Sequence, residues 1–458
     1  MSRKLYKYVA LILAVVLSFS NIDLIAQATE AEVAEDDIQE LDEAAQYELE
    51  MQQVYNKAVE SNAREGWPAG PQIFGESAIV IDMDTGTVLY EKGADETRYP
   101  ASITKVLTAL VAIENSTMDT PVTFSQASID TLRPGYAHIA MRPGETITMS
   151  DALHALLLAS ANEAGYAIGE TVAGSHERFV EMMNEKAREL GCTNSQFVNT
   201  NGMYDPNHYT TPRDMALIAM EAFKHEEFRQ IEQVLQYTIP PTNLEPEPRT
   251  FQQKHKMRRV GHRFYDERCV GGKTGYTDEA SNTLITYMES EGRHLVCVDM
   301  CSRKDIFPDT KAMCDYGFSQ FANMKVSDIS TDLKLSEEEK EKSITLPIGV
   351  TKDQIECRQE NGSVGYYFNG TLLGTAKLQE EVKEKPAAKQ KEDEKKAAVK
   401  KAEKEKEDKY MKIKVLICVI LVIILIVAIG IFLTIRDREQ NKKRRYYKKM
   451  RLRRKFRR

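Results

Sequence analysis

Asn282-Thr283-Leu284-Ile285-Thr286-Tyr287-Met288 and His294-Leu295-Val296-Cys297-Val298-Asp299-Met300 are the runs that decide the fold class. Both are rich in β-branched and large apolar residues, and the connection Glu289–Arg293 is polar. Two strands joined by so short a turn pair antiparallel. Val270–Tyr276 reads as a third strand just upstream. Near the other end, Ser77–Asp82 and Thr87–Tyr90 read as a hairpin closed by Met83-Asp84-Thr85-Gly86. Helical patterns fill the space between. One is an apolar helix starting near Ser102 and running through Val106–Ile113. Another is Met149–Leu158, with Ser150 as its N-cap, which breaks at Ala159-Ser160-Ala161-Asn162 and resumes through Val172. Helices combined with antiparallel strands give an α+β class, of the αβα sandwich kind.

Working outward, the 458 residues carry a net charge of −7, and that charge is unevenly spread. Residues 436–458 alone hold a net of +12, which leaves −19 on everything before them. General nucleic-acid binding by the whole chain is therefore not expected. Residues 1–28 read as an export signal. Arg3, Lys4 and Lys7 precede the apolar run Val9–Phe19, and Ala26-Gln27-Ala28 supplies a small-x-small cleavage site. Residues 413–435 read as a transmembrane helix. The almost unbroken apolar run Val415–Ile435, free of charges, rises about 31 Å as a helix, enough to cross a bilayer core. The basic tail 436–458 follows at once, so it is expected to stay cytoplasmic, against anionic lipid. The chain is then a single-pass membrane protein with its folded part outside the cell membrane.

Between these ends, residues 29–70 form an acidic leader that reads as solvated, because its helical stretch Ile38–Val59 has no evident core to join. Residues 71–322 have globular composition. Residues 323–378 read as a small β-rich domain with strands Ile344–Ile348, Gln354–Arg358 and Val364–Leu378, and turn signals at Asn361-Gly362 and Asn369-Gly370. Residues 379–412 are a charged Lys/Glu linker. Six cysteines lie outside the span, at spacings that fit no zinc pattern; an exported chain permits disulfides, but their pairing is not legible.

Three short motifs carry chemistry. Ser102-x-x-Lys105 puts a hydroxyl and an amine on one helical face. A serine needs a base to become a nucleophile, and a lysine serves once burial and a neighbouring cation lower its pKa. The helix start also turns backbone N–H groups toward the site, which suits an oxyanion. Ser160-Ala161-Asn162 at the helix break offers a proton-relaying hydroxyl and an amide able to hold a carbonyl. Lys273-Thr274-Gly275 on a strand offers a cation and a hydroxyl for a carboxylate, and a glycine that lets backbone approach closely. Each motif alone also describes ordinary helix, turn or edge-strand chemistry.

In this order the three match the set found in penicillin-binding proteins and class A β-lactamases. The sequence resembles the serine D-alanyl-D-alanine carboxypeptidases, the low-molecular-mass penicillin-binding proteins of peptidase family S11. The likeness runs through Tyr99–Lys105, Arg142-Pro143-Gly144-Glu145, Asn201-Gly202-Met203, His208–Ala216, Gly272–Thr277 and Tyr316-Gly317-Phe318. It departs at Ala161, where many relatives carry Gly, and at Tyr276, where some carry His. The spacer and full transmembrane helix also replace the amphipathic anchor common in the family.

The resemblance implies a penicillin-binding-protein fold and an acyl-enzyme mechanism on peptidoglycan stem peptides. Ser102 attacks the D-Ala-D-Ala bond, Lys105 takes its proton, and Ser160 passes a proton to the leaving D-Ala. Asn162, Lys273, Thr274, Gly275 and Tyr276 bind substrate, with the N–H groups of Ser102 and Tyr276 as oxyanion hole. Arg303 is a further carboxylate partner. β-Lactams are expected to acylate Ser102, and no metal or cofactor is expected. The alternatives are a D,D-endopeptidase on the same site, a β-lactamase and an inactive wall-binding scaffold. A β-lactamase would need a Glu for deacylation, and the segment before Thr211-Pro212 offers only Asp205.

Overall fold

The computed structural model of the protein describes residues 43–329 and 333–379. The export signal 1–28, most of the linker 379–412, the span 413–435 and the tail 436–458 lie outside the described residues. No helix among the described residues is long and apolar enough to cross a membrane.

The elements that matter for the site are, in chain order, helix α1 (Glu43–Asn56), strands β1 (Gly75–Asp82) and β2 (Val88–Lys92), and helices α2 (Lys105–Asn115), α3 (Met149–His154), α4 (Asn162–Ala173) and α5 (Pro212–Lys224). They continue with strands β3 (Gln236–Ile239), β4 (Arg249–Gln252), β5 (Cys269–Thr277), β6 (Ser281–Ser290) and β7 (Arg293–Ser302), then helix α6 (Ile306–Ser319). A five-stranded antiparallel sheet runs in the order β2-β1-β7-β6-β5. The expected hairpin of β6 and β7 is present, with Glu289 opposite His294 and Ser290 opposite Arg293.

Alternation along the strands explains the layers, since successive side chains leave a sheet on opposite faces. Ile79, Ile81, Val296 and Val298 join the apolar cluster that holds α2, α3, α4 and α5. Ala78, Val80, Leu295 and Cys297 join a second cluster with Met313 and Cys314 of α6. The sheet is therefore covered on both faces, an αβα sandwich.

Four expectations need correction. The helix at 149 is capped by Thr148, not Ser150. The Thr148 hydroxyl accepts from Asp151 N, and the Asp151 carboxylate accepts from Thr148 N, a reciprocal capping box that Ser150 does not form. The serine-bearing segment is not yet α-helix: Ala101–Thr104 is a separate 3-10 turn before α2. The leader is not wholly solvated. Met51 of α1, Val59 and Trp67 are buried, and Lys92 donates to the Val54 carbonyl. Finally, the boundary at 322/323 falls inside the strand Phe321–Lys325, which pairs with Ser343–Pro347. Phe321 packs on Trp67 and Tyr316, so the C-terminal strands share the second apolar cluster with the sheet. Beyond it, Glu356–Glu360, Ser363–Phe368 and Thr371–Lys377 form a three-stranded meander. Its two Asn-Gly turns have positive φ at both residues, as a two-residue hairpin requires. The described cysteines are all free thiols.

Trp67 ties the leader, the sheet and the C-terminal strands together. Its indole N–H donates to the Leu89 carbonyl at 2.8 Å while its ring faces Phe321. Trp67→Ala should lower the unfolding free energy by about 3–5 kcal/mol, as read from the urea midpoint. A change below about 1 kcal/mol would mean that the leader contributes little to the fold.

Candidate active site

The turn Ala101–Thr104 carries Ser102 and is held from three directions. Thr283 of β6 donates from its hydroxyl to the Pro100 carbonyl at 2.9 Å. Thr104 bonds the Ala101 carbonyl and the buried His208 Nε2, each at 2.9 Å. Burial drives the His208 pKa down to about 4, so its ring is neutral at physiological pH. Gly202, at φ +81°, lies so close that a Cβ there would stand 1.7 Å from the Ala101 carbonyl oxygen. Edge strand β5 closes the fourth side, with Gly275 passing close enough that its Cβ would meet Ser102 N at 2.9 Å. Only residues without a side chain admit this approach.

Lys105 opens α2 one turn later and is fully buried. Its Nζ donates to Ser102 Oγ at 2.8 Å, to Asn162 Oδ1 at 2.8 Å and to the Asn201 carbonyl at 2.5 Å. Burial, followed by the charges of Lys273 and Lys254, lowers its pKa well below the ordinary lysine value.

The break between α3 and α4 is a π-helical turn, Ala155–Ala159, ending at Ser160 in the left-handed region (φ 62°). That kink aims Ser160 at β5, where Lys273 Nζ donates to its Oγ at 3.0 Å. Wide turns of this kind recur at functional sites. Asn162 then opens α4. Its backbone N–H and its Nδ2 both donate to the Ala137 carbonyl, at 3.0 and 3.1 Å. Next to it, Glu163 Oε1 accepts from Ile139 N at 2.8 Å, so two neighbours hold the 137–139 loop beside the cleft.

Lys273 is only 1% exposed. Burial and the charge of Lys254 bring its pKa down to about 7, against the opposing pull of buried Glu232. Glu232 accepts from Gly272 N at 2.7 Å, which anchors β5 from behind. Its own carboxyl is pushed up to about 7 by burial. Tyr276 is 62% exposed at the rim, with its hydroxyl on Asp278. Ser102, Ser160, Asn162, Thr274, Gly275 and Tyr276 all line one cleft of about 870 Å³.

A family model described as peptidase S11, D-alanyl-D-alanine carboxypeptidase, matches residues 64–303, more than half of the chain. The chain belongs to that family. This S11 chain is 32% identical over 253 residues to the D-alanyl-D-alanine carboxypeptidase DacF of Bacillus subtilis, covering 54% of the chain and 62% of the relative. It is 29% identical over 265 residues to the D-alanyl-D-alanine carboxypeptidase DacA of Escherichia coli K12, covering 56% and 63%. The matches thus span a little over three fifths of these curated relatives. The crystal structure of the Streptomyces K15 DD-transpeptidase superposes with a TM-score of 0.50 at 27% identity, covering 55% of this chain and all of that one.

The structure brings Ser102, Lys105, Ser160, Asn162, Lys273, Thr274, Gly275 and Tyr276 of this S11 chain to one cleft. Arg303 is not part of it. Its guanidinium pairs with Glu50 of α1, and it lines a neighbouring surface depression beside Tyr99 and Cys301 that meets the cleft only at Glu279. Sequence reading missed the Asn201 carbonyl, Thr283, Glu232 and Lys254. Of these, Asn201 and Thr283 lie in segments that the sequence singles out, Thr283 only as part of a strand.

Gly202→Ala should push the Ser102 turn out of line, because the new Cβ meets backbone rather than a flexible side chain. Reaction of Ser102 with a fluorescent penicillin should slow at least about tenfold, a barrier increase of about 1.4 kcal/mol. An unchanged labelling rate in a folded variant would show that the turn can yield there.

Proposed function

We propose that the chain is a serine D,D-carboxypeptidase that removes the terminal D-alanine from peptidoglycan stem pentapeptides. The observation that carries this reading is the pair of lysine–serine contacts, Lys105 Nζ on Ser102 Oγ and Lys273 Nζ on Ser160 Oγ. Neutral Lys105 accepts the Ser102 proton as Oγ attacks the carbonyl of the penultimate D-Ala. The oxyanion gathers at the N–H groups of Ser102 and Tyr276, where edge strand β5 leans on the turn. Asn162 holds the acyl amide. Lys273 and Thr274 hold the terminal carboxylate, a charge-assisted pairing. Ser160 gives its proton to the departing amine and recovers one from Lys105 across the cleft, which leaves Lys105 neutral again. Water then attacks the ester with Lys105 as base, Lys105 passes that proton to the departing Ser102 Oγ, and the shortened peptide leaves. β-Lactams present the same acyl bond and acylate Ser102.

The same reading covers location. The export signal and the 413–435 span hold the catalytic part outside the cell membrane, with the basic tail on anionic lipid inside.

D-Alanine release from a synthetic pentapeptide ending in D-Ala-D-Ala, measured with wild-type protein and Ser102→Ala, tests the reaction. Release by the wild type alone is the expected result. No release by a folded wild type would defeat the carboxypeptidase reading, and release by the variant would remove Ser102 as nucleophile.

The pH profile follows from the two lysines. A lysine is a base only when neutral, so turnover falls toward acid as Lys105 gains its proton. A lysine binds carboxylate best when charged, so KM rises as pH climbs through about 7 and Lys273 loses its proton. Lys273→Arg keeps its charge at every accessible pH and should abolish the alkaline rise in KM. An alkaline limb unaltered in that variant would assign it to another group.

A further inference from the structure

The active-site cleft does not end at Lys273. A groove of about 510 Å³ adjoins it, walled by Ala137, Ala159 and β4 and bordered by Lys254 and Arg259. Ala137 and Lys254 belong to both spaces. Ala159 immediately precedes Ser160, and the Lys254 charge acts directly on both Lys105 and Lys273. The groove therefore begins where, on the function proposed above, the leaving residue sits.

Its charges are unequal in kind. Arg249 on β4 is already neutralised by both oxygens of buried Glu145. Lys256 has Asp305 at 3.7 Å. Lys254 and Arg259 form no ion pair with a carboxylate among the described residues. The Arg259 guanidinium donates only to the Gln253 carbonyl, and Arg259 is itself the charge that bears on Lys254. Both side chains reach the surface, where water screens much of their mutual repulsion, and an anion between them removes what is left. Residues 254–263 contain no Asp or Glu that could fill this role.

We infer that Lys254 and Arg259 form an anion subsite on the leaving-group side of the cleft, which takes a leaving D-residue carrying a second carboxylate on its side chain. The α-carboxylate of that residue lies on Lys273 and Thr274, and its side chain runs into the groove. The subsite thus selects among leaving groups and rests on the serine peptidase reading. The bond broken and the proton transfers are unchanged.

The test uses the full-length protein at low salt and three acylated dipeptides, ending in D-Ala-D-Ala, D-Ala-D-Glu and D-Ala-D-Gln. D-Glu and D-Gln have one shape and differ in charge. The wild type should favour the D-Glu leaving group over D-Gln by at least about fivefold in kcat/KM. Arg259→Gln should reduce that ratio, and Lys254→Gln with Arg259→Gln should bring it to about one. Taking a ratio removes any effect of Lys254 on the lysines of the reaction itself. Penicillin labelling of Ser102 in each variant shows that the site is folded. A wild-type ratio near one, or a ratio that survives the double substitution, overturns the subsite while D-Ala release stands. Failure of the wild type on all three dipeptides overturns the peptidase reading and the subsite together.

Discussion

Two buried lysine amines in one cleft are the constraint on which the rest depends. Removing a single charge from water is costly, and a second cation nearby makes it costlier still. Lys105 and Lys273 both meet that condition, and the structure around them answers it with oxygen. Three acceptors from three different parts of the chain surround Lys105 Nζ: Ser102 Oγ, Asn162 Oδ1 and the Asn201 carbonyl. Lys273 has Ser160 Oγ and the Thr274 carbonyl. These acceptors are dipoles rather than carboxylates. They satisfy the N–H groups without restoring the pKa that an anion would raise, and both amines keep their lowered proton affinity.

That demand explains the irregular backbone. A plain α-helix through residues 149–173 would not turn Ser160 toward β5, and the π turn with its left-handed end does. A regular helix from residue 101 would not leave room for Gly202 and Gly275 to close on the Ser102 turn. Glu232, Thr283 and His208 then fix the pieces from behind, each through one hydrogen bond to the turn or strand that bears a reacting group.

What could be read from the sequence follows from how locally each feature is encoded. Ser102-x-x-Lys105, Ser160-Ala161-Asn162 and Lys273-Thr274-Gly275 are contiguous, so their residue types and spacing stand out. The β6–β7 hairpin is local as well, and both Asn-Gly turns announce their conformation through the residues that tolerate positive φ. The Asn201 carbonyl has no such signature, since every residue offers the same backbone oxygen. Lys254 belongs to a basic run whose relation to Lys273 exists only in space. The Thr148 cap was missed by two positions because Ser150 is an equally good cap by type, and only the reciprocal bond with Asp151 decides. Helix α1 was misjudged because its polar composition hides one buried face around Met51.

The long reach of the contacts bears on when the molecule can close. Glu50 meets Arg303, the Trp67 ring meets Phe321, and the Thr87 hydroxyl donates to the Leu373 carbonyl. Pairings across such sequence distances form late and slowly, because the loop entropy must be spent before the contact repays it. The N-terminal leader and the first hairpin therefore take their packing partners from strands near the end of the described chain. Until those partners are in place, the edge of β1 that pairs with β7 and the face around Trp67 are uncovered. Assembly is thus ordered by the last partner to arrive, and a polypeptide ending before residue 373 would carry every group of the cleft yet lack the strand that completes the second apolar cluster.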